Sequence, residues 1–210
     1  PNAVDCSVWR EGPGGQSAIW FGRIVPEKAP HLAIDACRKA GIPLTIVGRR
    51  SSPTYWASEI VPRLGNDVEW IGTLNHTLLA ERVGHSRVAV ITPEWEEPFG
   101  LVSIEAMSCG TPVAAFARGG MADVLAASPC PSVEAGNVEA LAQAIRDSRF
   151  IDRARVAHYA RKNYGIAAFI DRYLAVYRKV TTERSDPKKA PVTTGIVSCI
   201  AAFAHEEAQP

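Results

Sequence analysis

Two glutamates, Glu97 and Glu105, stand eight positions apart in the stretch EEPFGLVSIEAMSCGTPV, residues 96–113. The first enters a Pro-Phe-Gly turn. The second lies among Leu101, Val102, Ile104, Ala106 and Met107 of an otherwise apolar helical run. A carboxylate in such company is costly to bury unless hydrogen-bond donors meet it. Two adjacent hydroxyls, such as those of a ribose diol, would supply them. Gly100, Leu101 and Val102 form the first turn of the same helix, where unpaired N–H groups and the positive dipole end attract an anion. Gly100 has no Cβ to hold a phosphate off. Glu97, immediately before Pro98 and Phe99, stands at the mouth of the same cleft, whereas Glu94 and Glu96 read as solvated loop acids.

A second group of residues points to the same chemistry. In FGRIVPEK, Arg23 and Lys28 leave the end of an apolar run, and Gly22 lets the backbone turn there. Arg offers phosphate a planar fork and Lys a mobile point charge. The Gly-rich EGPGGQS at 11–17 precedes a strand instead of opening a helix, so it reads as a turn and not a phosphate cradle. No G-x-G-x-x-G and no P-loop pattern occurs, which disfavours NAD and P-loop chemistry. The five histidines show no metal spacing, there is no Asp-x-Asp pair, and no G-x-S-x-G elbow marks a nucleophile. No metal site and no cofactor are expected.

The elements that must position these residues alternate along the chain. Strands are expected near 17–22, 43–48, 68–72, 88–92 and 111–116, each apolar and without alternation, as for parallel strands covered on both faces. Helical patterns lie between them, including YWASEIVPRLG at 55–65. The implied fold is α/β, a Rossmann-like doubly wound parallel sheet. Three helical stretches close this region, the last with Phe169, Ile170, Leu174 and Tyr177 on one stripe. Residues 1–180 read as one domain. Residues 181–210 read as a polar linker and a tail, poorly ordered or weakly helical.

Composition narrows the classes further. Twenty-three basic residues balance 22 acidic ones, so no basic face for nucleic acid is expected. No apolar run approaches the ~20 residues of a spanning helix; the longest, GIVSCIAAFA, is too short. Cysteines at 6, 37, 109, 130 and 199 share no repeated spacing, which argues for free thiols in a reducing, cytosolic compartment.

With these residues in view, the 96–113 stretch and its Glu, seven residues, Glu spacing resemble the signature of the retaining glycosyltransferases of the group 1 type, family four. FGRIVPEKAPHLAIDA resembles their phosphate-contact segment, VEWIG the strand that passes the nucleotide base, VYRKV the terminal helix, and PNAVD the end of their interdomain linker. Three departures are visible. Ala3 replaces a linker Gly, Asp123 stands where the family has Glu, and AASPCPSVEAGN is too short to assign a sixth strand.

The resemblance implies one half of a GT-B architecture: a nucleotide-sugar donor domain whose N-terminal acceptor domain lies outside this chain. It implies that Arg23 and Lys28 neutralise the departing diphosphate, while Glu97 holds the transferred sugar beside Pro98 and Phe99. Glu105 would bind the ribose, and the amides of Gly100, Leu101 and Val102 would reach phosphate or sugar. Gly22 would shape the phosphate turn, and Trp70 and Ile71 would lie near the base, mainly through their backbone. The reaction implied is metal-independent hexosyl transfer with retention to a glycan, lipid or small-molecule acceptor, the fragment alone being inactive. A cytoplasmic enzyme is expected, free or peripheral to a membrane through the missing domain. Two alternatives are a nucleotide-sugar 2-epimerase of similar fold and a non-catalytic nucleotide-sugar-binding fragment.

Overall fold

The computed structural model describes residues 2–184. Six parallel strands form its sheet: β1 (Ala18–Phe21), β2 (Leu44–Val47), β3 (Val68–Trp70), β4 (Val88–Ile91), β5 (Val113–Phe116) and β6 (Ser132–Val133). Their order is β3-β2-β1-β4-β5-β6. All five expected strands are present, and β6 adds the sixth, pairing Ala115 with Ser132 and Phe116 with Val133. β1, β2, β4 and β5 are buried at every position. Successive side chains still point to opposite faces. Ile19, Ala89, Ile91, Val113 and Ala115 enter one core with Ile104, Met107 and Val156. Trp20, Leu44, Ile46, Val90 and Phe116 enter the other with Ile34, Leu141 and Ile145. Two covered faces explain the lack of alternation in the sequence.

Helices α1 (Pro30–Ala40), α2 (Pro53–Tyr55), α3 (His76–Gly84), α4 (Leu101–Ser108), α5 (Gly120–Leu125), α6 (Val138–Asp147), α7 (Arg153–Tyr164) and α8 (Ile166–Arg184) connect and follow the strands. Their ends carry local signals. Pro30 opens α1, and Asn75, Asn137 and Asp152 cap α3, α6 and α7 by accepting from N–H groups of the first turn. The expected helix at 55–65 is not regular. α2 passes into a π turn, Trp56–Ile60, and then a 3-10 turn, Val61–Arg63. Pro62 has no N–H to give to an i−4 carbonyl, so the regular ladder ends before it.

A first compact unit ends at Phe169, and Ile170 opens a second. The boundary expected at 180 falls inside α8, which runs on to Arg184. Ile170, Leu174 and Tyr177 of the expected stripe are exposed. The remainder of the expected linker and tail, with GIVSCIAAFA and Cys199, lies outside the described residues. Cys6, Cys37, Cys109 and Cys130 are free thiols. Among the described residues no helix is long and apolar enough to cross a membrane.

Candidate functional site

The sheet reverses its winding between β1 and β4, and the crevice outside the carboxyl ends of those strands is where open α/β sheets place ligands. Gly22 and Arg23 leave β1 there, followed by a 3-10 turn at Pro26–Lys28. The turn is fastened to the segment after β4. The Thr92 hydroxyl, fully buried, donates to the carbonyl of Ala29 at 2.8 Å and lies 3.2 Å from that of Lys28. The Glu94 N–H donates to the Glu27 carbonyl at 2.9 Å. These bonds aim Lys28 across the switch point at Glu97. Lys28 Nζ donates to Glu97 Oε2, the Trp95 indole N–H donates to the same oxygen at 3.1 Å, and the ammonium lies 4.9 Å from the centre of the Trp95 ring. Glu97 is only 9% exposed, so its charge is met by two donors instead of bulk water.

The loop carrying Glu97 is held from behind by a glycine pair. The Gly120 N–H donates to the Glu97 carbonyl at 2.6 Å. A Cβ on Gly119 would lie 2.5 Å from the Glu97 carbonyl oxygen, and one on Gly120 equally close to that of Pro98. Backbone therefore packs on backbone. Phe99 meets Tyr164 edge-on at 5.9 Å. Gly100 then caps α4 with φ +87°, in the region that favours glycine. The Ser103 hydroxyl and N–H both donate to its carbonyl. No side chain caps the first turn of α4, so the N–H groups of Leu101 and Val102 face the crevice end without a capping oxygen.

Glu105, one turn further along, is half-buried, and among the described residues no hydrogen bond or ion pair meets its carboxylate. Burial pushes its pKa up to about 7.

The other expected residues are arranged less tightly. Arg23 is 63% exposed in its side chain and is paired at 3.9 Å with Glu27. Trp70 ends β3, the edge strand of the sheet, and Ile71 follows it. The Ile71 N–H is taken by the Ile46 carbonyl in the ladder, so its amide is not available to a ligand. The Trp70 indole donates to the Gly48 carbonyl at 2.9 Å, and its ring lies 4.9 Å from that of Trp56. The Arg50 guanidinium stands over both indoles, at 4.7 and 5.3 Å. Residue types alone singled out neither Arg50 and Trp56 nor Trp95, whose place between Glu94 and Glu96 hid it in an acidic loop. Gly119 and Gly120 carried a visible signal, a Gly-Gly pair after a strand. Among the described residues no group of three or more His, Cys, Asp or Glu side chains could hold a metal ion.

Residues 10–163 match the family described as glycosyl transferases group 1. The chain belongs to the group 1 glycosyltransferases. Among curated members, the D-inositol 3-phosphate glycosyltransferase of Segniliparus rotundus is 31% identical over 209 residues, which cover 85% of this chain and 46% of that protein. That of Mycobacterium marinum is 32% identical over 137 residues, covering 56% of this chain and 29% of its own. The chain thus spans less than half the length of these group 1 relatives. Its Rossmann-like fold matches AviGT4, a glycosyltransferase involved in avilamycin A biosynthesis, with a TM-score of 0.75 at 24% identity, over 84% of this chain and 55% of that one. Anabaena Alr3699/HepE, solved in complex with UDP-glucose, gives 0.72 at 19% identity, over 84% and 56%. Both likenesses concern the fold, a six-stranded parallel sheet with helices on both faces.

Proposed function

We propose that this group 1 chain is the donor-binding half of an enzyme that transfers a hexosyl group from a nucleoside diphosphate sugar with retention of configuration. Residues 1–180 form the donor domain, and a second Rossmann-like domain supplies the acceptor site. The observation that carries the reading is the Lys28–Glu97 pair, set at the switch point beside the uncapped first turn of α4.

In this reading an arriving diphosphate competes with Glu97 for Lys28. The ammonium turns to phosphate, and the freed carboxylate accepts hydrogen bonds from the sugar lying over Pro98 and Phe99. Arg23 and the amides of Gly100, Leu101 and Val102 meet the remaining phosphate charge. Charge developing on the leaving group is thus matched by two cations and a helix end, with no metal required. Glu105 takes the ribose diol, whose two donors relieve its unpartnered burial. Trp70 and Ile71 border the base. The acceptor attacks on the face the diphosphate leaves, which preserves configuration. Free buried thiols suit a cytoplasmic setting.

UDP-glucose, the ligand solved with the Anabaena protein, is the first donor to test. Calorimetry with UDP and UDP-glucose should show Glu105→Gln weakening both ligands, and Glu97→Gln weakening only the sugar conjugate. Equal losses for both ligands in both variants would overturn the division of labour. The chain alone should transfer nothing, and joining it to an upstream acceptor domain should restore transfer. Epimerisation of the donor without an acceptor would replace this reading by another.

A further inference from the structure

The opposite end of the sheet carries a cavity that donor binding does not use. It opens at the amino ends of β1, β4 and β5, has a volume of about 350 Å³, and is lined by Gly14, Gly15, Gln16, Arg87, Arg149 and Arg153 among others. Three arginines thus line one small space, and no carboxylate forms an ion pair with any of them among the described residues. The acids adjacent in sequence have other partners: Glu11 pairs with Arg161 at 3.3 Å, Asp147 accepts from the Gln143 amide at 3.0 Å, and Asp152 accepts from the first turn of α7.

Two of the three arginines are fixed by backbone carbonyls. Arg153 donates through Nη1 to Ser86 at 3.0 Å and through Nη2 to Gly84 at 2.9 Å, with Thr111 Oγ1 at 3.2 Å. Arg87 donates through Nη2 to Arg146 at 2.9 Å. The Nε–H donors of Arg87 and Arg153 are both buried without a partner. Leaving such a donor unmet is costly. The exposed Arg149 guanidinium has no hydrogen-bond or ion-pair partner among the described residues, its planar group resting 4.4 Å from the Phe150 ring. The fourth wall is the Gly-rich loop. Gly14, at φ +82°, gives its N–H to Gly84 at 2.9 Å, while the exposed amides of Gly15 and Gln16 have no protein partner among the described residues. Its place before a strand excludes the cradle that opens a helix, yet that same place brings it to the arginines.

We propose that this cavity is an anion site for a phosphomonoester, held between Arg87, Arg149 and Arg153 and the loop at residues 13–16. Three forked cations favour a dianionic phosphoryl group over a single carboxylate. The volume lies within the range of small-molecule sites and leaves room for the ester's organic part.

The test is titration of inorganic phosphate, and then of a hexose 6-phosphate, into the ¹⁵N-labelled 210-residue chain. Amide and arginine Nε resonances are followed. Saturable shifts are expected at Gly14, Gly15, Gln16 and Arg149, and they should survive in Arg23→Ala/Lys28→Ala, which removes phosphate binding at the donor end. Arg87→Gln/Arg149→Gln should weaken them by about tenfold or more. Arg149→Gln alone, at an exposed position, should weaken them several-fold and covers the case in which the double variant does not fold. Shifts confined to Gly100–Val102 would overturn the proposal, as would unchanged affinity in Arg149→Gln. Acetate or an acidic peptide shifting these resonances as strongly as phosphate would overturn it too.

Discussion

Lys28 and Glu97, 69 residues apart in sequence, are joined by a direct hydrogen bond across the switch point of the sheet. The carboxylate is almost sealed from water, and the ammonium is its main counter-charge. Removing either partner alone strands the other. Lys28→Met or Glu97→Gln should each lower stability by about 1–3 kcal/mol. The double variant should lose less than the sum of the two. Urea unfolding in a double-mutant cycle measures this, and strict additivity would show that the pair does not interact.

Glu105 gives the pH dependence a defined sign. Its pKa is raised to about 7 from an ordinary 4.5 by burial, so between those values the folded chain holds a proton that the unfolded chain has released. The contribution of Glu105 is therefore fully present below about pH 4.5 and is lost as pH rises through about 7, a change of about 2–3 kcal/mol. Glu105→Gln should flatten that slope and be more stable than the parent at pH 8. In the proposed reading a ribose diol favours the carboxylate form. Nucleotide binding should then release a proton near pH 6, visible as buffer-dependent enthalpy in calorimetry and absent in Glu105→Gln.

Gly119→Ala and Gly100→Ala make a sharper comparison than either alone. Both positions have positive φ, so both variants carry backbone strain of about 1–2 kcal/mol. A Cβ at Gly119 also meets the Glu97 backbone, whereas one at Gly100 meets the terminal methyl of Met121, which can move. Gly119→Ala should cost about 3 kcal/mol or more and disturb donor binding. Gly100→Ala should fold with a smaller loss. Thermal unfolding of the two variants side by side decides it.

Arg23 and Lys28 should differ in weight. Lys28 is held in place, with its side chain 24% exposed, while Arg23 is 63% exposed and loosely paired. Lys28→Ala should reduce nucleoside diphosphate affinity by about tenfold or more, and Arg23→Ala by a smaller, salt-sensitive factor. EDTA should leave both affinities unchanged, and a strict manganese requirement would contradict the proposed charge balance.

The strands were legible because residues covered on both faces leave apolar runs, and Trp20, Ile46 and Val90 mark them plainly. β6 was not, because two residues with one serine carry too little pattern. The 55–65 segment misled because its apolar spacing suits a helix, while the effect of Pro62 on the ladder depends on where the helix starts. At the site, Glu105 was legible as an acid among hydrocarbons. The roles of Trp95 and Gly119–Gly120 were not, since each acts on Glu97 through a loop whose path is set by tertiary packing. The Lys28–Glu97 bond belongs to the same class, because nothing local in either segment names its partner.

The seam between β1 and β4, where Ala18 lies beside Val88, also bears on how the chain comes to fold. β1 and β2 are brought together across a single crossover, whereas β4 reaches β1 only after two further crossovers have been wound on the other side. Loop closure over that span is slow, because its entropy is lost before any contact is gained. Lys28 and Glu97 stand on opposite sides of the seam. During synthesis the first half of the sheet can therefore gather while the crevice does not yet exist, and ligand competence arrives in one late step, when the second half docks.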